Sequence, residues 1–226
     1  MSLNCNEIDL ILKELDLDGS FIQDIIQPGF DTICFYTYKV QNAKTVLICT
    51  SQNAVRINET RRKIVKNEKP LRFMEFLKSK IKGARINCVN QIGKSRIIKF
   101  SLSHCDSEYF LYARLWSNAS NVILCDKNNV ILDSMFRRPQ KNEVTGGIFV
   151  IPEQSENSEK VWPVRDFSMI QKEYDESNRY KKILSFNEKV DIWYSEHSSS
   201  LSRASLLLQA EKWYTSVKSR MEKALF

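Results

Sequence analysis

The sequence predicts an α+β protein, a two-sheet antiparallel sandwich with packed helices, followed by a long C-terminal helix. Short apolar runs of β type alternate with turn residues from Phe21 to Asn58 and again from Ala84 to Phe136. A single stretch of helical period, Leu71 to Lys82, stands between the two series. Strands follow strands without crossover helices, which suits antiparallel pairing and not a parallel doubly wound sheet.

In order along the chain, Ile8, Leu10, Ile11, Leu12, Leu15 and Leu17 recur at mostly helical spacing with acids between them. That pattern predicts an amphipathic helix ending near Asp18-Gly19, where glycine accepts the left-handed cap position. β-type runs follow at 21–28, 31–40, 44–51 and 54–58, with Pro28-Gly29, Gln41-Asn42 and Gln52-Asn53 as turn residues. In 71–82 the period changes: Phe73, Phe76, Leu77 and Ile81 form one stripe, and Gly83 ends the helix. Strand patterns resume at 84–92, 96–103, 108–116, 121–126 and 129–136, with a hairpin turn around Asp126-Lys127-Asn128-Asn129 and a last short run at 148–152. The polar stretch 153–160 reads as a loop.

Residues 185–226 contain neither Pro nor Gly. Val190, Trp193, Leu201, Ala204 and Leu208 fall at spacings of three, four or their multiples. Trp213, Val217, Met221 and Leu225 continue the stripe after a shift of register. Forty helical residues reach ~60 Å, so this helix either packs back on the sandwich or begins a coiled coil with a partner. It stops at Phe226 without a cap signal, as a chain cut inside a longer helix would, or a short relative of a longer protein. The expected boundaries are a sandwich domain over 1–166, a linker over 167–184 and the long helix over 185–226.

With 226 residues and 42% hydrophobic content the chain can bury a sizeable core, and it holds no apolar run of the ~18–20 residues that span a bilayer. Acids interrupt the apolar N-terminal stretch, unlike a signal peptide, so the chain reads as cytoplasmic with no membrane partner. Six cysteines are scattered with no CxxC pair. Cys34, Cys49, Cys88 and Cys125 lie in apolar runs and read as reduced core thiols. Two histidines do not support a zinc site or a His-centred catalyst. Phosphate-cradling loops, nucleophile elbows and HExxH are absent from the sequence. The reading is therefore non-catalytic: no enzyme, no cofactor, no metal.

Charge is what the chain offers instead. Residues 51–100 carry 14 basic and 3 acidic side chains, whereas residues 1–50 carry 3 basic and 7 acidic. Concentrated positive charge attracts polyanions, because neutralised phosphates release their counterions. Within this segment, Lys94, Ser95 and Arg96 place two cations and a hydroxyl at a strand-to-strand turn. There Gly93 permits close backbone approach, and Arg96 can fork two bonds to a phosphate or a guanine edge. The plainer alternative is that Gly93 only makes the turn and Arg96 is an exposed strand-start residue. Arg61, Arg62 and Lys63, in the loop before the helix, are further phosphate-contact candidates, and Arg56 lies just ahead of them. Phe35, Tyr36, Tyr38, Tyr109, Phe110 and Tyr112 can stack single-stranded bases or serve as ordinary strand and core residues.

The residues Leu17-Asp18-Gly19-Ser20-Phe21-Ile22, Ile26-Gln27-Pro28, Leu47 to Ser51 with Arg56-Ile57, and Phe73 to Leu77 resemble, in that order, the N-terminal domain of the NFACT family (historically the fibronectin-binding protein A N-terminus). The resemblance continues through Ile81 to Ile86, Gly93-Lys94-Ser95-Arg96-Ile97, Ser120 to Asp126, Val130 to Asp133 and Val150-Ile151-Pro152. It implies a sandwich similar to the N-terminal domain of formamidopyrimidine-DNA glycosylases, without their catalysis. It also implies an RNA-binding function on tRNA and the large ribosomal subunit, as in RqcH-type ribosome quality control factors. The family's tRNA-recruiting Asp-Arg pair falls on Ser95-Arg96, with a hydroxyl in place of the carboxylate. Its Gly-Arg-His falls on Ser117-Asn118-Ala119, and its helix-hairpin-helix unit is not expected between the sandwich and Ser185. The older family label implies the alternative, a surface adhesin binding fibronectin or another matrix protein.

Overall fold

A computed structural model describes residues 2–152, 162–179 and 181–224. The loop expected at 153–160 lies outside these described residues. The elements are α1 (Cys5–Leu15), β1 (Phe21–Gly29), β2 (Thr32–Lys39), β3 (Asn42–Cys49), β4 (Arg56–Glu59), α2 (Arg72–Ile81), β5 (Arg85–Gln91), β6 (Ile97–His104), β7 (Ser107–Arg114), β8 (Asn121–Asp126), β9 (Ile131–Ser134), α3 (Ser168–Ser177), α4 (Phe186–Glu196) and α5 (Ser198–Ala224).

The strands form one nine-stranded antiparallel sheet, β4-β3-β2-β1-β5-β6-β7-β8-β9, which corrects the expectation of two sheets. Each expected series is a meander, and β1 and β5 join them at a narrow seam. Only Phe21 and Arg85 are register partners there, flanked by backbone bonds from Ile22 N to Ala84 O (2.9 Å) and Ile86 N to Ser20 O (2.7 Å). The sheet nevertheless folds over on itself. Three strand steps separate β2 from β6, roughly 14 Å in a flat sheet, yet the Phe35 and Phe100 rings stack with centroids 6.4 Å apart. The α2 stripe buries Phe73, Leu77 and Ile81, and the helix packs against β1, β6 and β9, so it ties the two meanders together.

Several boundaries move for local reasons. α1 ends at Leu15, short of Asp18-Gly19, because Asp16 itself takes the left-handed cap (φ 40°) with its carboxylate accepting from Lys39 Nζ at 2.9 Å. Cys88 is exposed and not a core thiol, since a bulge between Ile86 and Cys88 shifts the inward-facing register of β5. The run at 148–152 makes only an isolated bridge, Val130 to Ile148, although Phe149 is buried against Tyr112. The expected linker contains α3, which buries Ile170. The expected single helix is interrupted at His197: α4 docks on the core through Val190 and Tyr194, and α5 continues beyond it. No helix among the described residues is long and apolar enough to cross a membrane.

Candidate nucleic-acid interface

The β5–β6 turn holds the residues singled out above in an unusual backbone. Gly93 (φ 50°) and Arg96 (φ 57°) are both left-handed, a conformation that costs a non-glycine residue about 1 kcal/mol or more. The turn is pinned from within and from behind. Ile92 N donates to Ile97 O at 2.8 Å, and Ser95 donates to Ile92 O from both its backbone N (3.1 Å) and its hydroxyl (2.6 Å). From the end of β7, Leu115 N donates to Arg96 O (2.9 Å) and the Trp116 indole N–H to Ser95 O (2.5 Å). With every backbone anchor made, the Arg96 side chain is half-buried and forms no ion pair among the described residues.

Lys94, Ser95 and Arg96 form one wall of a cleft of about 610 Å³. Trp116 lines it beside them, and Trp162, Pro163 and Arg165 line it together with the chain start at Ser2 to Cys5. The first turn of α1 builds this corner. Asn4 Oδ1 accepts from Glu7 N (3.0 Å) while Glu7 Oε2 accepts from Asn4 N (2.9 Å), a reciprocal cap that satisfies two otherwise orphaned donors. The same side chains grip the segment 162–165. Asn4 Nδ2 donates to Pro163 O (2.8 Å) and Asn6 Nδ2 to Trp162 O (2.6 Å). Glu7 receives Arg165 N at 3.1 Å, Nε at 2.7 Å and Nη2 at 3.0 Å. Burial works against charge on Arg165, but its bonds to Glu7 and the neighbouring Tyr194 outweigh this and raise its pKa.

Trp116 is equally well supported. Its ring lies 5.2 Å from the Arg114 guanidinium, which in turn donates to Ala119 O (2.7 Å) and to Glu143 Oε1 (2.6 Å). Burial tends to raise the Glu143 pKa, yet bonds from Arg114 and Asn121 prevail and hold it below the ordinary glutamate range.

The other candidate cations lie elsewhere. Arg56 is committed inside the fold, with Nε on Asn58 Oδ1 (3.1 Å), Nη1 on Ala54 O (3.1 Å) and its guanidinium 4.5 Å over the Tyr194 ring. Arg61 and Arg62 approach Glu188 (3.3 Å) and Asp191 (3.5 Å) of α4, although their side chains stay 73% and 53% exposed. Lys63 is exposed and has no ion pair among the described residues. The candidate cations are thus divided between the cleft, the face of β4 that carries α4, and the loop after it, while others of 51–100 sit elsewhere, Arg72 on Asp133 and Lys78 on Asp24.

Of the aromatic candidates, Phe35 and Tyr112 are core residues. Tyr112 donates to Asn129 Oδ1 at 2.7 Å, and Phe110 lies under the Lys99 ammonium at 3.5 Å. The indoles that do reach the cleft, Trp116 and Trp162, carry no periodicity that marks them. The Asn4-x-x-Glu7 spacing, by contrast, is a legible capping signal.

Comparison with known proteins fits this geometry to a family. The family model described as NFACT N-terminal and middle domains matches residues 8–187, from α1 to the start of α4. The chain belongs to the NFACT family. Among solved structures, the N-terminal part of the fibronectin/fibrinogen-binding protein of Streptococcus suis is 19% identical, with a TM-score of 0.65 over 84% of this chain and 78% of that one. The N-terminal domain of the fibronectin-binding protein PavA of Streptococcus pneumoniae is also 19% identical, with a TM-score of 0.63 over 88% of this chain and 82% of that one. The fibrinogen binding protein of Staphylococcus aureus gives 19% and 0.60, over 87% and 82%. At that identity the likeness is one of fold. No curated protein sequence matches. The NFACT match runs through α3, so the stretch expected as a linker falls within the family region.

Proposed function

We propose that this NFACT domain is a non-catalytic, cytoplasmic RNA-binding module acting on tRNA and the large ribosomal subunit, with the cleft at the β5–β6 turn as its RNA site. The observation that carries this reading is Arg96: a guanidinium with no ion pair among the described residues, held in a strained backbone at the wall of a cleft, with the exposed Lys94 beside it. Strain of this kind persists where the surroundings impose it, and a planar fork suits phosphate and guanine edges. The Ser95 hydroxyl donates its hydrogen bond to Ile92 O, so it fixes the turn, and recognition falls to Arg96 and Lys94. Arg61, Arg62 and Lys63 add a second, looser strip of positive charge.

Fluorescence anisotropy with labelled tRNA tests the reading. Arg96→Ala weakens binding by about 1–3 kcal/mol if the fork makes a bidentate contact, and unchanged affinity removes Arg96 from the site. The names of the structural neighbours favour a second reading, binding of fibronectin or fibrinogen. Saturable capture of soluble fibronectin on the immobilised protein, unaffected by Arg96→Ala, is the result that supports it.

A further inference from the structure

We infer that the exposed face of β1 and β2 is a second RNA-binding surface, separate from the cleft, on which unpaired bases stack against Phe21 and Tyr38 with the adjoining phosphate on Arg85. The strand register sets this geometry. Phe21 is the partner of Tyr38 on β2 and of Arg85 on β5, and Tyr38 is the partner of Ala43 on β3. Directly opposed residues of antiparallel strands share a face, with Cβ atoms about 5 Å apart. Ala43, Tyr38, Phe21 and Arg85 therefore form one row across four strands. Every member is exposed, and the two rings keep 44% (Phe21) and 46% (Tyr38) of their surface in solvent. Tyr36, two residues from Tyr38 and so on the same face, joins it with Gln23, Lys44 and Thr45 around a hollow of about 460 Å³.

The position of the rings decides the kind of partner. At Phe21 the strand is paired on both sides, so its backbone offers no free edge to which a peptide adds as a further strand. What the face presents is side chains, two rings on neighbouring strands of a sheet, the arrangement on which RNA-binding sheets stack bases. The charge has the sign a phosphate backbone needs. Arg85 is exposed and has no ion pair among the described residues. Asp24, the register partner of Tyr36, pairs with Lys78 at 3.0 Å and also feels Lys82, and Asp16 pairs with Lys39 at 2.9 Å. Glu108 continues the row through Ser103, two strands beyond Arg85 and roughly 10 Å from it. Lys44, whose Nζ donates to Glu14 O (2.9 Å) and Leu15 O (2.7 Å), adds its charge to the hollow. Exposed rings beside cations match a single strand, whose bases are free to splay, and not a duplex, whose bases are stacked on one another. Recognition by ring and charge is tolerant of which base is present.

Fluorescence anisotropy of the full chain with labelled oligo(U) and oligo(A) octamers, and with an RNA duplex of equal length, tests this. The octamers bind with affinities within about tenfold of each other, and the duplex binds at least about tenfold more weakly. Tyr38→Ala weakens the octamers by about five- to hundredfold, the range of one lost base–aromatic stack, whereas Tyr38→Phe keeps the ring and binds within about twofold of the wild type. Arg85→Ala flattens the slope of log affinity against log salt by about 0.7, the share of one phosphate on a single strand. A duplex bound as tightly as the octamers overturns the inference, as does a folded Tyr38→Ala variant that binds like the wild type. Oligoglutamate that displaces the octamers charge for charge also overturns it, and marks the face as a site for an acidic protein. If Tyr38→Ala does not fold, photocrosslinking of the wild-type chain to a 4-thiouridine octamer replaces it. Adducts on the tryptic peptide 14–39, which carries both rings, support the inference, and adducts confined to other peptides refute it. This surface and the cleft fail separately. tRNA binding that needs Arg96 but not Tyr38, with no octamer binding, leaves the cleft standing without this surface. Octamer binding that needs Tyr38 and survives Arg96→Ala, without any tRNA binding, leaves this surface standing alone.

Discussion

The Arg165 guanidinium meets the Glu7 carboxylate through two hydrogen bonds, 2.7 Å from Nε and 3.0 Å from Nη2, across 158 residues of chain. Glu7 also completes the cap of α1, so one buried carboxylate both starts a helix and fastens to it the segment 162–165 that lines the cleft. Glu7→Ala leaves Arg165 largely buried without its partner and removes the reciprocal cap. Breaking a buried pair in this way costs about 3–5 kcal/mol. Urea denaturation measures it, and a loss below about 1 kcal/mol contradicts the role given to the pair.

Arg96 carries the opposite expectation. Its left-handed backbone suits glycine, so Arg96→Gly stabilises the fold by roughly 0.5–1 kcal/mol while weakening RNA binding. Gain of stability with loss of binding, measured on one variant, identifies strain held for function. A variant that is destabilised and still binds RNA contradicts it.

Thiol reactivity reports the cysteine environments. Cys88 and Cys105 are exposed, while Cys5, Cys34, Cys49 and Cys125 are buried. Burial pushes the Cys34 and Cys125 thiols up to about 12, so neither forms appreciable thiolate at pH 8. Iodoacetamide with peptide mapping labels Cys88 and Cys105 in the native protein and the other four only in denaturant. Native labelling of Cys34 or Cys125 contradicts the packing.

Cys88 also shows where legibility in the sequence ends. Alternating apolar runs and turn residues mark the strands well, as at β8, found over the expected 121–126. A one-residue bulge leaves no trace in hydrophobicity, yet it turns Cys88 outward. The sheet count escaped for a similar reason: whether two meanders share a seam is decided by a few backbone bonds around Phe21 and Arg85, where side-chain pattern says nothing. Arg96 was legible as a cation at a turn, although its left-handed backbone was not. The cleft itself is assembled from four separated segments, 2–7, 94–96, Trp116 and 162–165, and no motif announces their convergence.

Acid separates two carboxylates that titrate in opposite senses. Glu143 lies below the ordinary glutamate value because bonds from Arg114 and Asn121 outweigh burial. The stability it contributes is complete above about pH 4.3 and is lost as pH falls through its lowered value. Asp191, beneath α4, is raised: burial dominates over its bonds from Thr60, Arg62 and Asn58. As pH falls through that raised value toward about 3.9, protonation favours the folded state, so Asp191 adds stability on acidification whereas Glu143 loses it. Urea midpoints from pH 7 to pH 3 follow both. Asp191→Asn removes the gain, Glu143→Gln removes the loss, and profiles unchanged by either substitution contradict the assignment.

Ultraviolet crosslinking of the intact chain to tRNA, with adducts mapped by mass spectrometry, is the most direct test of the cleft as the RNA site. The account predicts adducts on Trp116, Trp162 and the peptide carrying Lys94 to Arg96, all lost when Arg96 is replaced by Ala. RNA held firmly with its adducts confined to other surfaces, or no tRNA retained at all, contradicts it.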